Sequence, residues 1–393
     1  MDRLQRDPLH RQLAARLRAE ILSGARGVGQ ALPSEAEFCR TYGISRSTVR
    51  QALAALAADG LVRTEAGRGS YVQQASPRPG GRAGPGVGLV VPQLGGMLLA
   101  HLLDGLEEGL AEAGYALTIA CSGFQHGGEE RAVQGLRRRG VVGLLILPAA
   151  ASAPPPGFYA GLVAEGFPVV CVDRRCAGAR VPWVTAANAE GGAALASHLL
   201  HLGHRRLAYL LPRDFPSSSV EDRLQGARRV LGEAGADPGG LRLLRVAGRM
   251  GDPMEPAVRE AVAGLAGEPA RLRSTALLCA NDDLAMLALA AWRELGRTVP
   301  DDLALAGFDD LPYARFLDPP LTTVRQDARE MGRRAVRLLL DLPGRAGPGR
   351  GDWAERGEAL PVTLRLREST TGRSGEGGLG AATATAPAAV SGG

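Results

Sequence analysis

Two groups of residues have types and spacings that can do chemistry. The first is Arg46, Ser47, Thr48 and Arg50, set just after Ser45. Guanidinium forks match phosphates and guanine edges, and short hydroxyl side chains let a backbone approach a polyanion closely. The second group is scattered, and each member follows an apolar β-like run: Gln93, Asp173 with Arg174, Asn281 with Asp282, and Asp309 with Asp310. Carboxylates, amides and a guanidinium brought together can donate to and accept from vicinal hydroxyls, and Trp183, Phe215 and Phe308 offer apolar ring faces for a sugar. Each Asp or Asn at a strand-to-helix turn also suits a helix N-cap, so both readings stand for these positions.

Other constellations do not assemble. All 46 basic residues are arginine, which removes lysine Schiff bases and Walker A loops. His198 and His201 lie i, i+3, with His204 beyond Gly203, but no carboxylate or thiol joins them at a ligand spacing, so no metal is expected. The pairs Asp282-Asp283 and Asp309-Asp310 project in different directions and have no nucleophile beside them. No catalytic residue, enzymatic activity or cofactor is therefore expected. The 5 cysteines contain no C-x-x-C pair, and Cys171 and Cys279 lie in apolar runs. They read as small buried hydrophobes, with disulfide and zinc frameworks not expected.

The elements that must position the first group form a small head over residues 1–72. Leu9, Leu13, Leu17 and Ile21 make one apolar stripe after Pro8. Ser34 to Glu37 has the spacing of a capping box, opening a second helix that Gly43 closes. Ser45 caps a third helix, whose Val49, Ala52, Leu53 and Leu56 form a buried face away from Ser47 and Arg50. Gly60 ends it, and two short β-like runs follow around a glycine-bearing tip that includes Gly67 and Arg68. This is the order of a winged helix-turn-helix, with the third helix for the major groove and Arg68 directed towards the minor groove. The head holds 11 arginines against 7 acidic residues, nearly the whole of the chain's +5 excess. Residues 73–86, rich in Pro and Gly, read as a flexible linker, and residues 371–393 as a disordered tail.

Residues 87–370 alternate apolar β-like runs (87–91, 116–120, 143–147, 169–172, 207–211, 276–279 and 303–306) with helical stretches. That alternation predicts an α/β body with parallel sheets covered on both faces. Its length suits two lobes with a ligand cleft beyond the carboxyl ends of the strands.

The run LPSEAEFCRTYGISRSTVRQALAALAADGLVRTEAGRGSYV closely resembles the GntR-type winged helix of bacterial transcription regulators. The resemblance implies a DNA-facing set of Ser34, Glu35, Ser45, Arg46, Ser47, Thr48, Arg50, Gly67 and Arg68. Ala36 stands where many members carry an arginine. The segments LGHRRLAYL, CANDDLAMLALAAWRELGRTVPDDLALAGFDDLPYARFLDPPLTTVRQ and LPVTLRLREST resemble the effector-binding core of LacI-type repressors, itself similar to periplasmic sugar-binding proteins. That likeness implies an effector set of Gln93, Asp173, Arg223, Asn281, Asp282 and Asp309. Ala187-Asn188 replaces a usual Asp-Asn pair, and Leu98-Leu99 replaces common aromatics. A GntR head on a LacI-type body is the arrangement of arabinose-type repressors.

These features imply a homodimeric repressor that binds double-stranded operator DNA and is controlled by a small-molecule effector, expected to be a carbohydrate. Two rival classes are weaker. An aminotransferase-like regulator needs a cofactor-binding lysine that this chain lacks, and a sugar-transport component would not carry a DNA-binding head. The 393 residues are 45% hydrophobic without a membrane-spanning run, and the first residues lack the apolar centre of a secretory signal. No membrane partner is expected, and the expected location is the cytoplasm.

Overall fold

The computed structural model describes residues 9–22, 26–27, 29–58, 61–65, 69–72, 85–125, 127–149, 153–155, 157–176, 180–213, 217–235, 241–248, 254–269, 273–342 and 356–371. The chain divides into two compact units, Met1–Ala83 and Gly84–Gly393. Gly60, Gly67, Arg68, the linker segment 73–84 and the tail 372–393 lie outside the described residues.

The first unit holds α1 (Leu9–Leu22), α2 (Glu35–Tyr42) and α3 (Arg46–Ala58), followed by an antiparallel hairpin of β1 (Val62–Glu65) and β2 (Gly69–Val72). The capping box forms as its spacing requires: Glu37 N donates to Ser34 Oγ (3.3 Å) and Ser34 N to Glu37 Oε2 (2.7 Å). Gly43 closes α2 at φ 63°, a left-handed conformation that glycine adopts without steric cost. Leu13, Leu17, Phe38, Val49, Ala52, Leu53 and Leu56 bury together with Val62 and Val72 of the hairpin. Leu9, the first member of the expected α1 stripe, instead stays 58% exposed, because it opens the helix beyond the reach of that core.

The second unit has two lobes. Its chain runs β3 (Gly86–Val91), α4 (Met97–Glu112), β4 (Ala116–Cys121), α5 (Gly128–Arg138), β5 (Gly143–Ile146), α6 (Phe158–Ala164), β6 (Val169–Val172) and β7 (Trp183–Ala186), then crosses over. The second lobe follows with α7 (Asn188–His201), β8 (Leu207–Pro212), α8 (Ser218–Glu233), β9 (Leu241–Val246), α9 (Glu255–Ala266), β10 (Ala276–Cys279), α10 (Asp282–Glu294), β11 (Ala304–Ala306) and β12 (Thr323–Arg325). Then α11 (Ala328–Asp341) and β13 (Gly357–Leu360) return to the first lobe, and β14 (Thr363–Arg365) and α12 (Glu368–Thr371) end on the second. The first sheet is parallel in the order β13-β7-β6-β5-β3-β4, and the second is parallel in the order β11-β10-β8-β9. An antiparallel pair, β12-β14, lies beside the crossings. The chain thus passes between lobes three times, after β7, after β12 and after β13, and Val362 at the last crossing packs against both cores.

All residues of β5, β6 and β10 are buried, as expected for parallel strands covered on both faces. The five strands the apolar runs do not reveal are short or marginal: β9 alternates with exposed Arg242 and Arg245, and β7, β12, β13 and β14 have only three or four residues. The cysteine expectation needs correction. Cys171 and Cys176 form a disulfide, their Cα atoms 6.4 Å apart, because the chain turns back after β6 through Asp173 at φ 64°. Cys39, Cys121 and Cys279 are free.

Candidate functional site

On the first unit, burial of Val49, Ala52, Leu53 and Leu56 forces Arg46, Ser47 and Arg50 outward on α3. Ser45 caps the helix by accepting from Thr48 N (3.2 Å), and its Oγ also lies 2.8 Å from both Ser47 Oγ and Thr48 Oγ1. Arg50 Nε donates to Glu35 Oε1 at 3.0 Å and Oε2 at 3.1 Å, so a carboxylate at the start of α2 holds this arginine of α3. Ser34 is engaged in its capping box.

On the second unit, a cavity of about 490 Å³ lies between the lobes. Gln93, Asp173, Arg223, Asn281 and Asp309 all line it, with Arg174 and Asp283. Asp173 and Arg174 follow β6 of the first lobe, and their side chains pair at 3.1 Å. Arg223 projects from α8 of the second lobe, with its Nη2 3.7 Å from Asp309 Oδ1. Asp173 and Asp309 are held at φ 64° and φ 120°, conformations that disfavour a side chain and tend to cluster at functional sites.

Arg223 is the most constrained of these groups. Its Nε donates to Asn188 Oδ1 (2.8 Å), its Nη1 donates to the Ala280 carbonyl (2.6 Å), and its Cζ lies 3.7 Å from the centroid of the Phe308 ring. The backbone beneath it is set by glycine contacts. A methyl group at Gly192 would overlap the Arg223 carbonyl oxygen, and one at Gly226 the Ala189 carbonyl oxygen, so α7 and α8 touch backbone to backbone. Asn188, at the crossover into the second lobe, therefore positions Arg223. Its place in the Ala187-Asn188 pair was the only sequence signal for it.

Burial governs the electrostatics. It pushes the Asp309 carboxyl well above its ordinary range, with Arg223 opposing, while Gln326 Nε2 donates to its Oδ1 at 2.6 Å. Burial lowers the Arg174 guanidinium, which Asp173 supports and nearby Arg223 opposes. The Arg175 backbone N–H donates to Ser218 Oγ (2.8 Å), and its Nη2 donates to Asp222 Oδ1 (2.7 Å), clasping the first lobe to α8 of the second.

Asp282 departs from its expected place. It is fully buried behind the cavity, where Oδ1 accepts from Thr323 Oγ1 (2.6 Å) and Oδ2 from Leu311 N (2.8 Å). Its neighbour Asp283 lines the cavity instead, because successive helical residues point about 100° apart. Desolvation pushes the Asp282 carboxyl up to about 7, against the hydrogen bonds from Thr323 and Leu311. Asn281 both lines the cavity and caps α10, its Oδ1 accepting from Leu284 N at 2.9 Å. Neither described ring face is offered to the cavity. Phe308 is buried beneath Arg223, Trp183 lies beside Arg175 outside the lining, and Phe215 lies outside the described residues. Phe124 lines the cavity in their stead, along with a leucine- and methionine-rich wall. That wall is invisible in sequence because α4, α8 and α10 carry the same residue types on their core faces.

No helix among the described residues is long and apolar enough to cross a membrane, and none of their side chains form a metal-ligand cluster.

A winged helix-turn-helix and a two-lobed parallel-sheet domain with a charged interlobe cavity define a class: DNA-binding regulators that carry a ligand-binding body. Residues 9–72 match the bacterial regulatory proteins of the gntR family, and residues 196–370 match the periplasmic binding protein-like domain. The chain is 32% identical over 339 residues to the arabinose metabolism transcriptional repressor of Geobacillus stearothermophilus, covering 85% of this chain and 91% of that one. Its namesake in Halalkalibacterium halodurans is 27% identical over 376 residues, 92% of this chain and 96% of that one. The crystal structure of transcription regulator GntR from Chromobacterium violaceum is similar at 32% identity and a TM-score of 0.59, covering 73% of this chain and all of that one. The chain belongs to the GntR-headed, LacI-type family of transcriptional regulators, and it is a DNA-binding transcriptional repressor of that type.

Proposed function

We propose that this repressor works in the cytoplasm as a homodimer whose two α3 helices read half-sites of a near-palindromic operator, and that a carbohydrate bound between the lobes controls it. Arg46, Ser47, Thr48 and Arg50 make the α3 contacts to DNA, Glu35 orients Arg50, Ser34 and Ser45 set the helix starts beside the backbone, and Gly67 and Arg68 extend the contact from the hairpin tip. Gln93, Asp173, Arg223, Asn281 and Asp309 hydrogen-bond the effector, while Asp282 holds the loop after β11 in place. One observation carries this reading. A carboxylate–guanidinium pair from each lobe faces a single cavity, so a hydroxyl-rich ligand can be gripped from both sides at once. Closure around it changes the freedom of the heads. The relatives named for arabinose metabolism support a carbohydrate effector.

The test is selection of duplexes by the full chain from a random pool, followed by binding measurements at several salt concentrations with and without a panel of sugars. The expected result is a two-fold symmetric consensus, an affinity falling steeply with salt, and a large affinity change with at least one sugar. Failure to enrich any sequence over random duplex overturns the reading.

A further inference from the structure

The cavity is two-faced. Its polar groups gather at the ends of β3, β6, β10 and β11 and on Arg223, with Ser219 and Asp283 added by the first turns of α8 and α10, whereas the loop before α4 and the start of α4 present aliphatic side chains to the same space. Leu94, Met97 and Leu98 come from the first lobe, and Val220, Leu284 and Leu287 from the second. Leu94 is 61% exposed and Met97 40% exposed, a large uncovered apolar area for residues that line a cavity. Phe124 is the only aromatic residue lining the cavity among those described. A wall of leucine, valine and methionine has no hydrogen-bonding group to offer a ring of hydroxyls, and any hydroxyl turned towards it loses its water without replacement. Flexible thioether and branched aliphatic side chains do suit an apolar substituent of variable shape.

Building on the carbohydrate reading above, we propose that the effector is an amphiphilic glycoside. Its sugar is held by Asp173, Arg174, Arg223 and Asp309, and an alkyl or aryl aglycone lies between Leu94, Met97 and Leu98 of the first lobe and Val220 and Leu287 of the second. A free sugar fills only the polar half of the site. The aglycone contributes the burial of apolar surface from both lobes, so it adds to the force that closes them.

The experiment is calorimetry on the full chain with glucose, galactose, xylose and arabinose, each as the free sugar and as its methyl, hexyl and phenyl glycosides. Binding is read for the parent protein and for Leu94→Ser and Met97→Gln. Both substituted side chains are well exposed, and melting curves verify that the variants fold. For the preferred sugar, the hexyl glycoside is expected to bind about 10- to 100-fold tighter than the methyl glycoside, as partial burial of five methylenes implies. That ratio, read within each variant so that a general loss of affinity does not mimic it, should shrink several-fold on either substitution. Hexyl and methyl glycosides of equal affinity would overturn the amphiphile while leaving sugar control intact. A hexyl advantage that survives both substitutions would overturn the placement of the aglycone. If no sugar binds, free or substituted, both this inference and the carbohydrate reading fall.

Discussion

The buried carboxyl of Asp282 makes the pH dependence of stability a sharp test of how the cavity is supported. Its ordinary value is 3.8 and in the folded protein it is pushed up to about 7, mainly by desolvation, with Asp310 adding to the rise and Arg367 opposing it. The folded protein therefore keeps a proton that the unfolded chain releases between pH 3.8 and about 7. The stability contributed by this residue is greatest below pH 3.8, falls by about 1.4 kcal/mol per pH unit across that window, and is level above it. The total loss is up to about 4 kcal/mol. Asp282→Asn copies the protonated acid without titrating: its oxygen can accept from Leu311 N, and its amide can donate to the Thr323 hydroxyl, which turns to suit. Urea denaturation of parent and variant at pH 5 and pH 8, followed by tryptophan fluorescence, reads the contribution of Asp282 by difference. Asp309, also raised, titrates in both proteins, and because Asp282 is one of the charges that raise it, the difference reads Asp282 together with its coupling to Asp309. The variant's advantage should grow by about 3 kcal/mol between the two pH values. An advantage that stays flat, or a variant less stable at pH 8, would mean that the carboxylate is ionised and stabilising, and would refute the burial argument.

Other outcomes follow from single contacts. Arg50→Ala should weaken operator binding by about 1–3 kcal/mol, roughly 5- to 150-fold, without lowering the melting temperature, because the side chain is exposed; fluorescence anisotropy reads the first and calorimetry the second. Glu35→Gln, which frees Arg50 to reorient, should cost less affinity but relax the choice among operator variants in the same assay. Gly226→Ala should destabilise the second unit by about 1–3 kcal/mol, since its methyl group meets the Ala189 carbonyl, and should abolish the sugar response by displacing Arg223. Asp222→Ala removes the side-chain half of the clasp to Arg175, leaving the backbone N–H bond to Ser218. With both partners partly exposed it should change stability by only about 0–1 kcal/mol, while small-angle scattering should detect a more open body.

What the sequence made legible was local. The capping box at Ser34 and Glu37, the Gly43 stop and the outward arginines of α3 each depend on spacings of three or four residues, which the linear text displays directly. The polar ends of parallel strands were also readable, because sheet topology sends whatever follows β6, β10 and β11 to one edge. Three features needed the folded chain. Asp282 and Asp283 are neighbours whose roles separate only once the helix direction is known. Phe308 was expected beside a ligand, yet its ring is covered by a guanidinium supplied 85 positions earlier in the chain. Cys171 and Cys176 lie in an apolar strand and the turn after it, and only the reversal through Asp173 brings them together.

The charge arrangement across the cavity also bears on the nature of the ligand. Each lobe brings its own ion pair, Asp173 with Arg174 and Arg223 with Asp309, so closing the lobes joins two locally balanced pairs instead of two like charges. An anionic effector would have to displace these carboxylates and would also face Asp283, whose Oδ1 accepts from the Tyr313 hydroxyl at 2.5 Å. A neutral hydroxylated ligand disturbs neither pair. It can donate to Asp173 and Asp309 and accept from Arg174 and Arg223, replacing water that closure expels. The left-handed backbone at Asp173 and Asp309 costs about 1–3 kcal/mol at each residue, and it brings carboxylates from two separate sheets to one cavity. Asp309→Gly relieves that strain but takes a buried acceptor from Gln326 and Arg223, so it is expected to lower both stability and sugar affinity, and a variant with undiminished sugar affinity would remove the reason for the strain.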